Sequence, residues 1–314
     1  MRRFDLVLPD AVNVREVGPR DGLQIERPVS TEKKLAMLEA LVATGVRRIE
    51  ATSFVSPRAV PALADAEQVA ALLGRWPHVT WSALVASPRG TTRALAAGVT
   101  NLEYVVSAAD AHSRANVGRS TEESTSLVAE VAEQVHAVGG TLEVIIATAW
   151  DCPFTGPTPT DRAIEVAREA VHRGADTLCL GDTVGSTTPR RVLDLLEAVR
   201  AVADGRDVGV HFHNTRGTGI ANALVALQAG VTSIDASVGG LGGCPFAPGA
   251  SGNIATEELV YLLDGCGTAS GIDLDAVVAA AAVTMRVVGH DLPSSLYRAG
   301  GRLRPLGAAP SVRP

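Results

Sequence analysis

Lysine is almost missing from this chain. Lys33 and Lys34 are the only two, so nearly all positive charge is Arg, and 28 cations stand against 34 Asp and Glu for a net charge of −6. A general nucleic-acid binder normally carries the opposite balance, so no nucleic-acid partner is expected. A local basic patch for a phosphorylated ligand is still compatible with that balance. Cysteine is scarce as well. The four, Cys152, Cys179, Cys244 and Cys266, fit no zinc-motif spacing and no dense disulfide framework. No apolar run approaches the roughly 18 residues needed to span a bilayer, so no membrane partner is expected. Met1 to Asp10 lacks the long apolar stretch of a signal peptide, and a cytoplasmic location is the expectation.

What the chain does have is apolar bulk: 46% hydrophobic residues against 20% charged, over 314 residues. That suffices for a large core. The length could hold two average domains, but α/β barrels reach it as one. Short β-branched runs alternate with Ala- and Leu-rich helical stretches. Strands are expected near Val12–Val17, Arg48–Ala51, Thr80–Val85, Leu102–Val106, Leu142–Ile146, Thr177–Leu180, Val208–His211 and Ser233–Ala236. Such alternation implies parallel pairing with right-handed crossovers. A phrase recurs in "ATGVRRIEA", "AAGVTNLEYV", "RGADTLCLGD" and "QAGVTSIDAS". In each, a helix ends, a Gly takes the left-handed position, and a buried strand follows. An open doubly wound sheet shares this grammar, but eight units suit closure. The expectation is a (β/α)8 TIM barrel over residues 1–270, with extra C-terminal helices and a tail over 271–314.

Barrel active sites form at the C-terminal ends of the strands. Here those ends are polar. The first runs into Glu16, Arg20 and Asp21, the second ends at Glu50 and the sixth at Asp182. The seventh carries His211 and His213, and the eighth leads through Asp235 to a Gly-rich stretch with Cys244 and Asn253. Charges converging on one rim are costly unless they pair or bind something. His211 and His213 are two apart, so a strand presents both rings on one face. A His-x-His alone could be a structural pair. With Asp21 added, two imidazoles and a carboxylate can hold Mg²⁺, Mn²⁺, Fe²⁺ or Zn²⁺, and the Asn253 amide would favour Mg²⁺ or Mn²⁺. "GGLGGCPFAPGASGN" (239–253) could be an ordinary connection, but a Cys inside it is unusual for packing. A thiol with an ordinary pKa near 8.5 can exchange a proton with an enolate once tuned, which singles out Cys244. Cys179, inside the sixth strand, reads as core. Cys266 lies near a helix end, and Cys152 before Pro153 stays ambiguous.

Five segments together carry a resemblance: "EVGPRDGLQIE", "IEATSFVSPRAVP", "LGDTVG", "HFHNTRG" and the glycine-rich stretch with Cys244. They resemble the 3-hydroxy-3-methylglutaryl-CoA lyase family, over roughly Val14 to Gly265. The cysteine segment is specific to the lyase branch, whereas the His-x-His and first-strand motifs are shared with condensing relatives. The resemblance implies cleavage of a 3-hydroxyacyl-CoA by a retro-Claisen step to acetyl-CoA and a keto acid, with a divalent metal, Mg²⁺ or Mn²⁺, as cofactor. By matching position, it implies Asp21, His211, His213 and Asn253 as metal ligands, with Glu50 beside them. It implies Arg20 as the cation that meets the thioester enolate, and Asp21 or His211 as the base. Asp182 falls in a motif at the substrate rim, Cys244 matches the proton-handling thiol, and Gln24 and Thr183 match substrate neighbours. It also implies a homodimer.

Some positions depart from the family pattern. Asn214 stands where Asp is common, Arg216 where Tyr is common, and Trp150 and Asp151 where Leu and Gly usually precede Cys-Pro. Trp150 and Asp151 are therefore expected to reshape the acyl pocket, with citramalyl-CoA or a longer-branched 3-hydroxyglutaryl-CoA as alternative substrates. A Claisen condensing enzyme would share His-x-His but has no reason to carry the Cys244 segment. A pyruvate-type aldolase is a further rival within the superfamily. A silent binding barrel would leave the whole constellation unexplained. A non-haem iron oxygenase also uses two His and one carboxylate, usually on another fold.

Overall fold

The computed structural model describes residues 6–243 and 252–300. Eight strands form a closed parallel barrel: β1 (Asn13–Glu16), β2 (Arg48–Ser53), β3 (Thr80–Val85), β4 (Asn101–Ser107), β5 (Thr141–Ala147), β8 (Thr177–Asp182), β9 (Val208–Phe212) and β10 (Ser233–Ala236). A small antiparallel hairpin, β6 (Asp151–Cys152) with β7 (Gly156–Pro157), decorates the loop after β5. β1 pairs with both β2 and β10, which closes the ring. Every expected strand is present at its expected place. This is a TIM barrel. The recurrent glycine works as its pattern suggests: Gly45, Gly98, Gly174 and Gly230 all have φ between 83° and 103°. Gly45 is also tight, since a Cβ there would stand 2.6 Å from the Gly271 carbonyl oxygen.

The main core lies between the barrel and its helices. Leu102, Tyr104 and Val106 of β4 and Leu142, Val144 and Ile146 of β5 join helix residues such as Val131, Val135 and Val166 in one buried cluster. Burying each such side chain stabilises by about 1.5–3 kcal/mol. The alternate strand residues fill the lumen. Leu84, Ile145 and Cys179 form a second, small apolar cluster. Arg15, Glu103, Glu143 and Asp235 form a buried ion cluster rather than the branched apolar layers usual in such barrels.

After the barrel come helices Thr256–Cys266, Leu274–Val288 and Ser295–Ala299. Leu274–Val288 is well delimited. Asp273 accepts the Ala276 N–H at 2.7 Å, and Gly289 ends the helix at φ 81°. It packs against helix Thr31–Val42. Of the extension expected over 271–314, residues 301–314 lie outside the described residues. No helix among the described residues is long and apolar enough to cross a membrane.

Glu16 faces away from the lumen. Its carboxylate accepts from Gly18 N, Val238 N and Thr256 Oγ1, tying β1 to the segment after β10. Burial raises it from 4.5 to about 7, against those three bonds. The native chain therefore holds a proton on Glu16 that the unfolded chain has released between these values. The associated stability is complete below 4.5 and is lost as pH rises through about 7. Glu16→Gln should flatten that part of a urea-midpoint-versus-pH curve. An unchanged slope would show that Glu16 titrates normally.

Candidate active site

The residues after β1 do not continue as a strand. Gly18–Gly22 forms a π-helical turn in which the N–H groups of Arg20, Asp21 and Gly22 all reach the Val17 carbonyl. Such turns are rare and often mark functional positions. This one aims two adjacent side chains into the barrel mouth. Arg20 places Nε 2.7 Å from Glu50 Oε2 and donates from Nη1 to Asp21 Oδ1 at 2.7 Å. Asp21 Oδ1 also accepts from Gln24 Nε2 at 2.9 Å, and Oδ2 accepts from Asn253 Nδ2 at 2.7 Å. Burial opposes ionisation of Asp21, but Arg20, His213 and His211 hold its carboxyl far below the usual carboxylate range. Glu50 is fully buried, and burial pushes its carboxyl up against the pull of Arg20.

At the end of β9 the period of two, continued one residue past the strand, puts His211 and His213 side by side, with ring centroids 5.1 Å apart. One ligand atom each from Asp21, His211 and His213 lie within 4.8 Å of one another, and all three residues are buried. Asn253 joins them through an antiparallel bridge to His213. Among the described residues its Oδ1 is buried without a hydrogen-bond partner, and so is His213 Nδ1. An orphaned amide oxygen beside two imidazoles and an ionised carboxylate suits a divalent cation, because the cation would give the amide oxygen a partner and the buried carboxylate a further counter-charge. Asn253 depends on two glycines at the base of its loop. A Cβ on Gly252 would stand 2.0 Å from the Gly242 oxygen, and one on Gly242 2.6 Å from Asn253 Nδ2. Cys244 lies outside the described residues.

This group sits at one end of a cavity of about 860 Å³. Arg20, Gln24, Thr183, His211 and His213 line it, and Leu84, Val105 and Ile145 form an apolar floor. Three residues absent from the sequence expectations also line it: Ser53, His112 and Arg119. His112 is neutral, since burial lowers it to about 4, and its Nδ1 lies 2.7 Å from Ser107 Oγ. The signal for His112 and Arg119 was available, because both follow the end of the fourth strand, at the reactive rim. The sequence places Asp235 at the end of the eighth strand without giving it a role. It lies beneath His211 with Oδ2 3.1 Å from His211 Nδ1.

Not every expected residue reaches the cavity. Asp182 turns its carboxylate onto the backbone of its own loop, accepting from Ser186 N and Thr187 N, while its neighbours Gly181 and Thr183 face the cavity. Trp150 and Asp151, expected at the acyl pocket, are not among the described residues that line this cavity. The Trp150 indole packs against Phe212, which points away from the two His rings of β9, and its Nε1 donates to the Arg191 carbonyl. Asp151 is gripped by both Arg191 terminal nitrogens and by Ser186. The departures at Asn214 and Arg216 likewise serve loops: Asn214 Oδ1 accepts from Gly219 N, and Arg216 donates to Val184 O. Cys152 is buried and lies off the cavity lining. Trp150→Leu with Asp151→Gly is therefore expected to cost about 2–4 kcal/mol of stability, with unchanged preference among acyl-CoA substrates. A shifted ratio of kcat/KM values would restore these residues to the pocket.

The HMGL-like family model matches residues 11–284. The chain belongs to the HMGL-like family. A hydroxymethylglutaryl-CoA lyase of Bacillus subtilis is 40% identical over 287 residues, spanning 91% of this chain and 96% of that protein. An (R)-citramalyl-CoA lyase of Chloroflexus aurantiacus is also 40% identical, over 302 residues, spanning 93% and 95%. The solved structure of an HMG-CoA lyase from Acinetobacter baumannii, in complex with coenzyme A and 3-methylmalate, superposes with a TM-score of 0.89. It is 38% identical and spans 95% of this chain and 98% of that one. The chain is accordingly a carbon–carbon lyase.

Proposed function

We propose that this lyase cleaves a 3-hydroxy-3-methylglutaryl-CoA-like 3-hydroxyacyl-CoA to acetyl-CoA and a keto acid, which is acetoacetate for the parent substrate. The observation that carries this reading is the metal-competent group of Asp21, His211 and His213 at one end of a large cavity that Arg20 also lines. A divalent cation held by these residues and Asn253, Mg²⁺ or Mn²⁺, would polarise the substrate hydroxyl. Asp21 and His211 are the candidate bases for the hydroxyl proton. The O–H electron pair becomes the new carbonyl, and the carbon–carbon pair moves onto the thioester as an enolate. Arg20, held in place by Glu50 and Asp21, faces that developing charge. Gln24 keeps Asp21 in register. Cys244 is the proposed donor of the proton that ends the enolate at acetyl-CoA. The homodimer and the cytoplasmic location belong to the same reading, and sedimentation tests the first.

A second substrate has specific support. The citramalyl-CoA lyase relative is as similar as the hydroxymethylglutaryl-CoA lyase relative, at 40% identity each. The test is a direct competition: purified protein with Mg²⁺ or Mn²⁺, given each thioester, with acetyl-CoA, acetoacetate and pyruvate quantified. Acetoacetate release with the higher kcat/KM supports the first reading, and pyruvate release supports the second. No acetyl-CoA from either thioester would overturn both.

A further inference from the structure

The floor beneath the two His rings is charged. On β10, Asp235 pairs with Arg15 of β1 on one side and His211 of β9 on the other. Arg15 donates from Nε and Nη2 to the two Asp235 oxygens, each at 2.8 Å. Glu103 pairs with Nη1 at 2.8 Å, and Glu143 Oε1 lies 2.6 Å from Nη2. Arg15 is 2% exposed and Asp235 3%. We propose that Arg15 is a positioning residue for the metal-facing group, acting through Asp235 to keep His211 in the tautomer that carries its hydrogen on Nδ1. The metal-facing role of His211 rests on the function proposed above.

The argument is one of donors and acceptors. A neutral imidazole has one N–H and one lone pair. A carboxylate only accepts, so the ring nitrogen 3.1 Å from Asp235 Oδ2 must be the one that donates. Nε2 is then left with its lone pair, on the side of Asp21 and His213. Asp235 cannot swing away, because rotation would break two short charge-assisted bonds to one planar guanidinium. Lys could supply the charge but not the fork. Glu103 on Nη1 and the Glu143 charge beside Nη2 add to the hold on the guanidinium. The alternative is that the cluster merely fills the lumen. Buried ion clusters stabilise little compared with apolar packing, so a filler role gives no reason for this geometry at this place.

The test uses substrate-free, metal-free protein with ¹⁵N-labelled histidine at alkaline pH. His211 signals are assigned by their loss in His211→Gln. Long-range ¹H–¹⁵N correlations report the tautomer, and Mn²⁺ affinity is read from free-ion EPR. Wild type should show Nδ1–H. Asp235→Asn should populate Nε2–H, because the amide can turn its NH₂ toward Nδ1, and raise the Mn²⁺ Kd about 10–100-fold. Arg15→Lys should raise Kd in the same direction, and the double variant should be no worse than Asp235→Asn alone. Nε2–H in wild type, unchanged Kd in the folded variants, or full additivity in the double variant would each overturn the proposal. If Asp235→Asn does not fold, the wild-type tautomer and the Arg15→Lys affinity still decide. Failure of the wild type to bind Mn²⁺ would sink the metal reading instead, with the tautomer spectrum reporting separately on Arg15 and Asp235.

Discussion

Arg20→Lys is expected to lower kcat by about 10²–10³-fold, the scale for losing one preorganised donor at a developing oxyanion. The residue is 5% exposed, and two of its nitrogens are already committed, Nε to Glu50 and Nη1 to Asp21. A guanidinium can keep both partners and still face the cavity, because its five N–H groups lie in one plane. A Lys ammonium is a compact point. It can satisfy Glu50 and Asp21 or approach a thioester oxygen, but not all three in the same geometry. KM should change little, since the charge is retained and the interaction strengthens only as the enolate forms. Mn²⁺ affinity should stay near wild type, because Gln24 and Asn253 still hold Asp21. Steady-state kinetics with acetyl-CoA detection gives the split. A near-normal kcat would mean that Arg20 does not face the reacting thioester.

His213→Ala should remove metal binding outright. The Mn²⁺ Kd is expected to rise by more than the roughly 10–100-fold typical of losing a partner one step away from the ion. Metal content after dialysis should fall from near one per chain to near zero, and lyase activity should fall with it. The structural reason is that His213 touches two other members of the group. Its Nε2 lies 3.9 Å from Asp21 Oδ2, and its backbone bridges to Asn253. The backbone bridge survives the substitution, so Asn253 should stay in place and the fold should be intact by circular dichroism. Retention of one metal per chain in His213→Ala would overturn the ligand assignment. A fold lost together with the metal would be answered by His213→Gln, which keeps a polar side chain of similar reach.

The chain's own pattern determined the architecture. Eight β-branched runs, four of them introduced by a glycine that must adopt positive φ, leave few alternatives to a closed parallel barrel. The period of two in β9 was enough to place His211 beside His213, and the rim rule was enough to bring Arg20, Asp21 and Asn253 toward them. What the pattern could not say was which face of a strand looks inward. In a parallel barrel both faces are buried, one under helices and one in the lumen, so hydrophobic alternation carries no sign. Only closure decided that Arg15 enters the lumen while Glu16 turns out to cross-tie the loops. By the same step Thr183 faces the cavity and Asp182 its own loop, and Trp150 and Asp151 brace the outside of the barrel. The partnership of Arg15, Asp235 and His211 spans 220 and 24 residues of chain. The Arg15–Asp235 contact exists only once the ring of strands has closed, because nothing local holds those two groups together before the first and last strands meet, whereas His211 and Asp235 need only the pairing of β9 with β10.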